Sequence, residues 1–76
     1  KKRGVVKMEK FLEFVAEIME VDVSEISMET LYKEGKWDSL MMLTLVMELE
    51  AEYGVSIPME SIGGIKTMMD LYKFVE

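Results

Sequence analysis

The sequence predicts an all-α fold, a bundle of three main helices with one short helix before the last. Three observations carry this expectation. Apolar residues recur at helical spacing in two long stretches; the punctuation between them is Gly and Pro at positions that end helices; and Asp38, Ser39 and Thr67 offer side-chain oxygens where helices would start. With 76 residues, half of them apolar, the chain is long enough for one domain and one core.

The first helix is read from Met8, Phe11, Leu12, Val15, Ile18 and Met19, which follow the i, i+3, i+4, i+7 pattern and place Glu9, Glu13, Glu17 and Glu20 elsewhere on the wheel. It is expected to end at Met19 or Glu20, where Val21, Asp22, Val23 and Ser24 break the period. Before it, Lys1, Lys2, Arg3 and Lys7 form a basic stretch without acids. Residues 1–7 therefore read as a disordered N-terminal extension, and 8–76 as the folded domain. A stretch without period follows over 21–37, with Gly35 as a turn signal. So long a loop needs anchors, and Ile26, Leu31 and Tyr32 are expected to pack inward, with one helical turn over 29–33.

The second long helix is expected over 39–53. Asp38 and Ser39 both offer oxygens that cap a helix start, and Gly54 suits the left-handed position after its end. Pro58 then allows only one turn over 59–62 before Gly63 and Gly64. Thr67 opens the last helix, with Asp70 three residues on as an Asp variant of the capping box, and Met68, Leu71, Tyr72 and Val75 form its apolar face.

On a wheel of the second helix, Met42, Leu45, Val46, Leu49 and Tyr53 cluster on one side as the core stripe. Leu40, Leu43, Met47 and Ala51 form another stripe, separated from the first by Thr44, Glu48, Glu50 and Glu52. A helix wrapped on most sides would bury both. The reading preferred is that Leu40, Leu43 and Met47 are exposed and meet other proteins, with the carboxylates as a charged rim. The nine methionines first suggest an adaptable core; the alternative is that Met41 and Met47 serve an adaptable surface.

Composition excludes several functions. Without Cys or His, no protein thiolate attacks, no imidazole moves a proton, and a Cys/His zinc site is ruled out. The remaining hydroxyls and lysines have no evident base beside them, so an enzyme in its own right is not expected. A calcium loop is excluded because the oxygens at Asp22 and Ser24 do not continue at the required spacing. Acidic side chains outnumber basic ones by 15 to 9, and most of that excess lies between Glu9 and Glu60. Such a body repels a phosphate backbone and attracts basic protein patches, so nucleic acid is not an expected partner. No apolar run is long enough to span a bilayer.

Ser39 is then the residue of interest. A hydroxyl at a helix start is a good place to attach a phosphate, because free N–H groups and the helix dipole stabilise the anion, although most serines at such positions are plain caps. Trp37-Asp38-Ser39-Leu40 opens the helix, Leu45-Val46-Met47-Glu48-Leu49-Glu50 continues it, and Tyr53-Gly54-Val55 and Ile57-Pro58 follow. Together these closely resemble the acyl carrier protein family, and the resemblance runs from Phe11 to Val75.

The resemblance implies an acyl-carrier-like four-helix bundle and a covalent 4′-phosphopantetheine, taken from coenzyme A by a magnesium-dependent phosphopantetheinyl transferase and attached to Ser39. Asp38 matches the motif's acid, near which the transferase acts. The arm's thiol holds an acyl or aminoacyl group as a thioester. Partners would be a loading ligase, synthase or acyltransferase, met through Leu40, Met41, Leu43, Met47, Glu48 and Glu50; the carrier itself would be monomeric and cytoplasmic. Met41 and Thr44 stand where carriers of primary fatty acid synthesis usually have acids, which implies a dedicated partner. Lys36-Trp37 does not supply the Gly-Gly of many peptidyl carriers. Long apolar cargo is expected to enter near Val46, Ile62 and Met68. The competing reading is a small acidic interaction module with this fold and no arm.

Overall fold

The computed structural model describes residues 2–76, with side chains from Val6 onward. Four α-helices are found among the described residues: α1 (Lys2–Met19), α2 (Ser39–Tyr53), α3 (Met59–Ile62) and α4 (Met68–Tyr72), with a 3-10 turn at Val23–Glu25. No strand is present among these residues; the only sheet-like contact there is an isolated antiparallel bridge between Leu31 and Thr67. The all-α bundle expected from the periodicity is the fold of the chain.

Helix α1 buries Phe11, Val15, Ala16 and Met19 and leaves Glu9, Glu13 and Glu17 in solvent. It ends in a Schellman arrangement, with Val21 N–H donating to Ala16 O at 3.0 Å and Glu20 N–H to Glu17 O at 3.2 Å. Glu20 takes the left-handed conformation, φ 59°, that glycine usually supplies there. The helix begins earlier than the periodicity suggested. Residues 2–7, expected as a disordered extension, continue it, and Lys1 lies outside the described residues. Val6 and Lys7 are exposed, so these two positions offer no apolar face from which the earlier start could be read.

The loop over 21–37 differs from expectation in two ways. Its helical turn is at Val23–Glu25, not over 29–33. Asp22 caps it, accepting from Ser24 N–H at 3.1 Å, and Glu25 reaches back to Asp22 N–H at 3.4 Å. Ile26 and Tyr32 are half-buried as anchors, whereas Leu31 is 50% exposed. What fixes Leu31 is its backbone, paired with Thr67. Around that bridge, Tyr32 N–H donates to Lys66 O at 2.8 Å, Met68 N–H to Thr30 O at 2.9 Å, and Met69 N–H to Met28 O at 2.9 Å. The loop is thus stitched to the start of α4.

Helix α2 has the boundaries that its caps dictate. Asp38 accepts from Met41 N–H at 2.9 Å, and Gly54, φ 66°, donates to Glu50 O. Met42, Leu45, Val46 and Leu49 are buried and Tyr53 half-buried, as the wheel places them. The short α3 follows Pro58, and α4 opens with the expected box, Thr67 Oγ1 accepting from Asp70 N–H and Asp70 accepting from Thr67 N–H, both at 3.2 Å. Its Met68, Leu71 and Tyr72 are buried, and Val75, just beyond it, is half-buried.

These faces meet in one core that also includes Trp37, Ile57 and Ile65. Phe11 and Tyr72 join α1 to α4 edge to face, with ring centres 5.1 Å apart. The methionines divide: Met19, Met42 and Met68 are buried, Met8, Met28, Met41 and Met69 pack half-buried against the core, and Met47 and Met59 are exposed. A Cα radius of gyration of 11.5 Å matches the ~11 Å of a close-packed chain of this length.

Candidate functional site

The start of α2 is built by a division of labour between two neighbouring side chains. Asp38, extended at φ −117°, is the N-cap and spends its carboxylate on Met41 N–H. Ser39 is therefore the first helical residue, and its hydroxyl is not consumed in capping the backbone. Both residues are exposed. The ambiguity left by the sequence, which offered either oxygen as the cap, is resolved in favour of Asp38.

The hydroxyl of Ser39 shares a hydrogen bond with the Tyr32 hydroxyl at 2.9 Å. Tyr32 packs edge to face on Trp37, ring centres 5.6 Å apart at 77°, and Lys33 Nζ lies 5.9 Å from the Tyr32 ring centre. Trp37 is fully buried, and its Nε1–H has no hydrogen-bond partner. Sequence reasoning treated Tyr32 only as a loop anchor and Trp37 only as part of a motif. The signal for the first was a polar-tipped aromatic in the loop before Ser39; for the second, the lone tryptophan of a small chain two residues before that serine.

The side of α2 that follows Ser39 is the second apolar stripe. Leu40 is 76% exposed, Leu43 46% and Met47 66%; Met59 at the start of α3 is exposed as well. Of the two readings of this stripe, the exposed one holds. Glu48 stands beside it in solvent. Two of the expected surface residues sit differently. Met41 is half-buried against the core, and Glu50 is half-buried with Oε2 accepting from Ile57 N–H at 2.8 Å. Glu50 thus braces the segment after α2.

Val46 and Met68, named as the entrance for long cargo, are buried, and Ile62 is half-buried. A large open groove of about 580 Å³ lies elsewhere, between Phe14 on α1, Tyr53 on α2 and Tyr72 on α4. Its α2 wall is roughly 20 Å along the helix from Ser39. Burial, with Glu52 and Tyr72 nearby, pushes the Tyr53 hydroxyl above its ordinary pKa. Among the described residues, no cluster of acidic side chains is arranged to hold a metal, and no helix is long and apolar enough to cross a membrane.

The arrangement fits an attached phosphodiester. An exposed hydroxyl sits in the first turn of a 15-residue helix, where the aligned backbone dipoles favour a negative group, and no carboxylate competes for that hydroxyl because Asp38 is turned to the backbone. Comparison with known proteins agrees with this geometry. A family model described as a phosphopantetheine attachment site matches residues 9–75. The acyl carrier protein of Rickettsia massiliae is 38% identical over 69 residues, covering 90% of this chain and 80% of the relative. That of Rickettsia typhi is 36% identical over the same shares. A family match over nearly the whole chain, relatives of this closeness and an all-α bundle with an exposed serine opening its second helix lead to one conclusion: the chain belongs to the acyl carrier protein family.

Proposed function

We propose that this protein carries an acyl or aminoacyl group as a thioester on a 4′-phosphopantetheine esterified to Ser39, and presents it to partner enzymes that perform the chemistry. The observation that carries the assignment of Ser39 is the exposed hydroxyl at the first position of α2, not spent on capping because Asp38 does that work. The cofactor supplies the thiol that the sequence lacks. The chain's own residues then have three tasks. Ser39 provides the oxygen for the ester. Asp38 holds the helix start in shape and gives the phosphopantetheinyl transferase an acidic mark beside it. Leu40, Leu43 and Met47, with the exposed edge of Met41, form an apolar docking face rimmed by Glu48, while Glu50 supports that rim from its bond to Ile57.

Members of this family meet transferases and synthases. For this chain the dedicated partners are a loading ligase, a synthase or an acyltransferase with a mixed apolar and basic surface, because Met41 and Thr44 leave the helix turns just after Ser39 uncharged while Glu48 lies farther along. The carrier works as a monomer in the cytoplasm, its carrier domain over 8–76 and the basic residues 1–7 an addition to it.

Incubation of the unmodified protein with coenzyme A, magnesium and a broad-specificity transferase tests the proposal. Wild type gains the mass of one phosphopantetheinyl group, and Ser39→Ala gains none. A wild type that stays unmodified would favour an interaction module without an arm; a gain that persists in Ser39→Ala would move the attachment site elsewhere.

A further inference from the structure

Tyr32 is held by more contacts than a loop anchor requires. Its N–H is bonded to Lys66 O at 2.8 Å, its ring stands edge-on to the buried Trp37, and the Lys33 ammonium lies over its face. The chain is turned back beneath it by two left-handed residues, Lys33 at φ 83° and Gly35 at φ 56°, with Lys33 N–H donating to Trp37 O at 2.7 Å. A non-glycine residue at such a φ is uncommon and is maintained only by the structure around it. All these restraints converge on one outcome, the Tyr32 hydroxyl fixed 2.9 Å from Ser39 Oγ.

We propose that Tyr32 is the positioning residue of the attachment site: its hydroxyl orients Ser39 Oγ for phosphopantetheine transfer and afterwards donates to the phosphodiester that replaces the serine hydroxyl. The inference rests on the carrier reading above. In the unmodified protein either hydroxyl serves as donor. Transfer forms the bond from Ser39 Oγ to the phosphorus that bears the pantetheine and breaks the bond from that phosphorus to the departing adenosine 3′,5′-bisphosphate. The serine proton leaves to a base on the transferase. Once esterified, Ser39 has no hydrogen to donate, whereas a tyrosine hydroxyl both donates and accepts. The contact therefore survives modification with Tyr32 as donor, and it strengthens, because a hydrogen bond to an ionised phosphodiester is stronger than one between two neutral hydroxyls. The Lys33 ammonium adjoining the Tyr32 ring adds positive charge next to the phenol. A phenol held in this way restricts the first torsions of the arm and so biases the direction in which it leaves the helix.

Tyr32→Phe removes the hydroxyl and keeps the ring on Trp37. With a broad-specificity transferase and saturating coenzyme A, its kcat is expected to fall about three- to tenfold, the scale of one lost hydrogen bond, while KM for the carrier stays within about twofold because docking is untouched. In the loaded protein the phosphorus-31 resonance moves between wild type and Tyr32→Phe. Wild type alone provides a further reading without substitution: the Tyr32 ζ-carbon resonance shifts on loading, while those of Tyr53 and Tyr72 stay in place. An unchanged kcat, an effect confined to KM, an unmoved phosphorus resonance or an unmoved Tyr32 ζ-carbon overturns the proposal. If wild type itself gains no mass, the carrier reading has failed; if it loads normally and Tyr32→Phe loads at the same kcat, the positioning role alone has failed.

Discussion

At Asp38 a single carboxylate caps the helix and, under the proposed function, also marks the site, and the two uses separate experimentally. Asp38→Ala removes the cap on Met41 N–H and should cost about 1 kcal/mol in denaturant unfolding. Asp38→Asn, also a good cap, should retain the stability and still slow transfer, because only the charge is gone. Equal transfer rates for Asp38→Asn and wild type would leave Asp38 a purely structural residue. Trp37 is the opposite kind of residue, fully enclosed with its Nε1–H unpartnered. Trp37→Ala empties the largest volume in the core and should cost about 3–5 kcal/mol, a large fraction of what a chain of this size possesses; a thermal melt within a few degrees of wild type would contradict the packing described. The aspartate and serine were legible as a pair because caps are local chemistry. The Tyr32–Ser39 contact was not, since it spans seven residues and depends on left-handed turns at Lys33 and Gly35. A lysine gives no signal for that conformation.

Among the elements, α2 was the most legible, because Asp38 and Gly54 bound it and its two apolar stripes follow from a period of 3.6 residues. Gly54 adopts φ 66° with nothing within 4 Å of the position a Cβ would occupy. Gly54→Ala therefore meets no clash, and its cost, about 1 kcal/mol in urea unfolding, is that of the left-handed backbone alone. The turn at Val23–Glu25 was missed for a physical reason: Asp22 and Glu25 form a box around only three residues, so the local signal resembles a helix break. At α4 the box carries a pH dependence. The Lys66 N–H above all, aided by the Thr67 N–H, the Lys73 charge and the Thr67 hydroxyl, holds the Asp70 carboxyl below its ordinary pKa against the opposing effect of partial burial. The resulting stability is present above the unfolded value, about pH 4, and is lost as pH falls through the lower folded value. Asp22, lowered by the Ser24 N–H and hydroxyl, acts in the same direction. Asp70→Asn should flatten the acid limb of the stability curve below about pH 4; an unchanged limb would mean that the contacts to Lys66 and Thr67 do not hold in solution.

On the scale of the whole molecule, the apolar stripe on α2 stands exposed on a body with an acidic excess. Leu43 and Met47 contribute little to the core, so Leu43→Glu and Met47→Glu should change stability by no more than about 0.5 kcal/mol. Loading by a cognate ligase or synthase should nevertheless fall at least about tenfold, as expected when charge enters the centre of an interface. Loss of stability in step with loss of loading would show that the stripe is structural. The bundle class was readable from periodicity alone, whereas the length of α1 was not, because the apolar period begins only at Met8 while the helix begins at Lys2.

The main-chain bonds that tie Thr30, Tyr32 and Met28 to Met68, Lys66 and Met69 also couple the loop before Ser39 to the position of α4. Helix α4 cannot swing away from α2 to admit a long chain without pulling on the loop that holds the Tyr32 ring. Under the proposed function, a guest long enough to part these helices would thus be felt mechanically at Ser39.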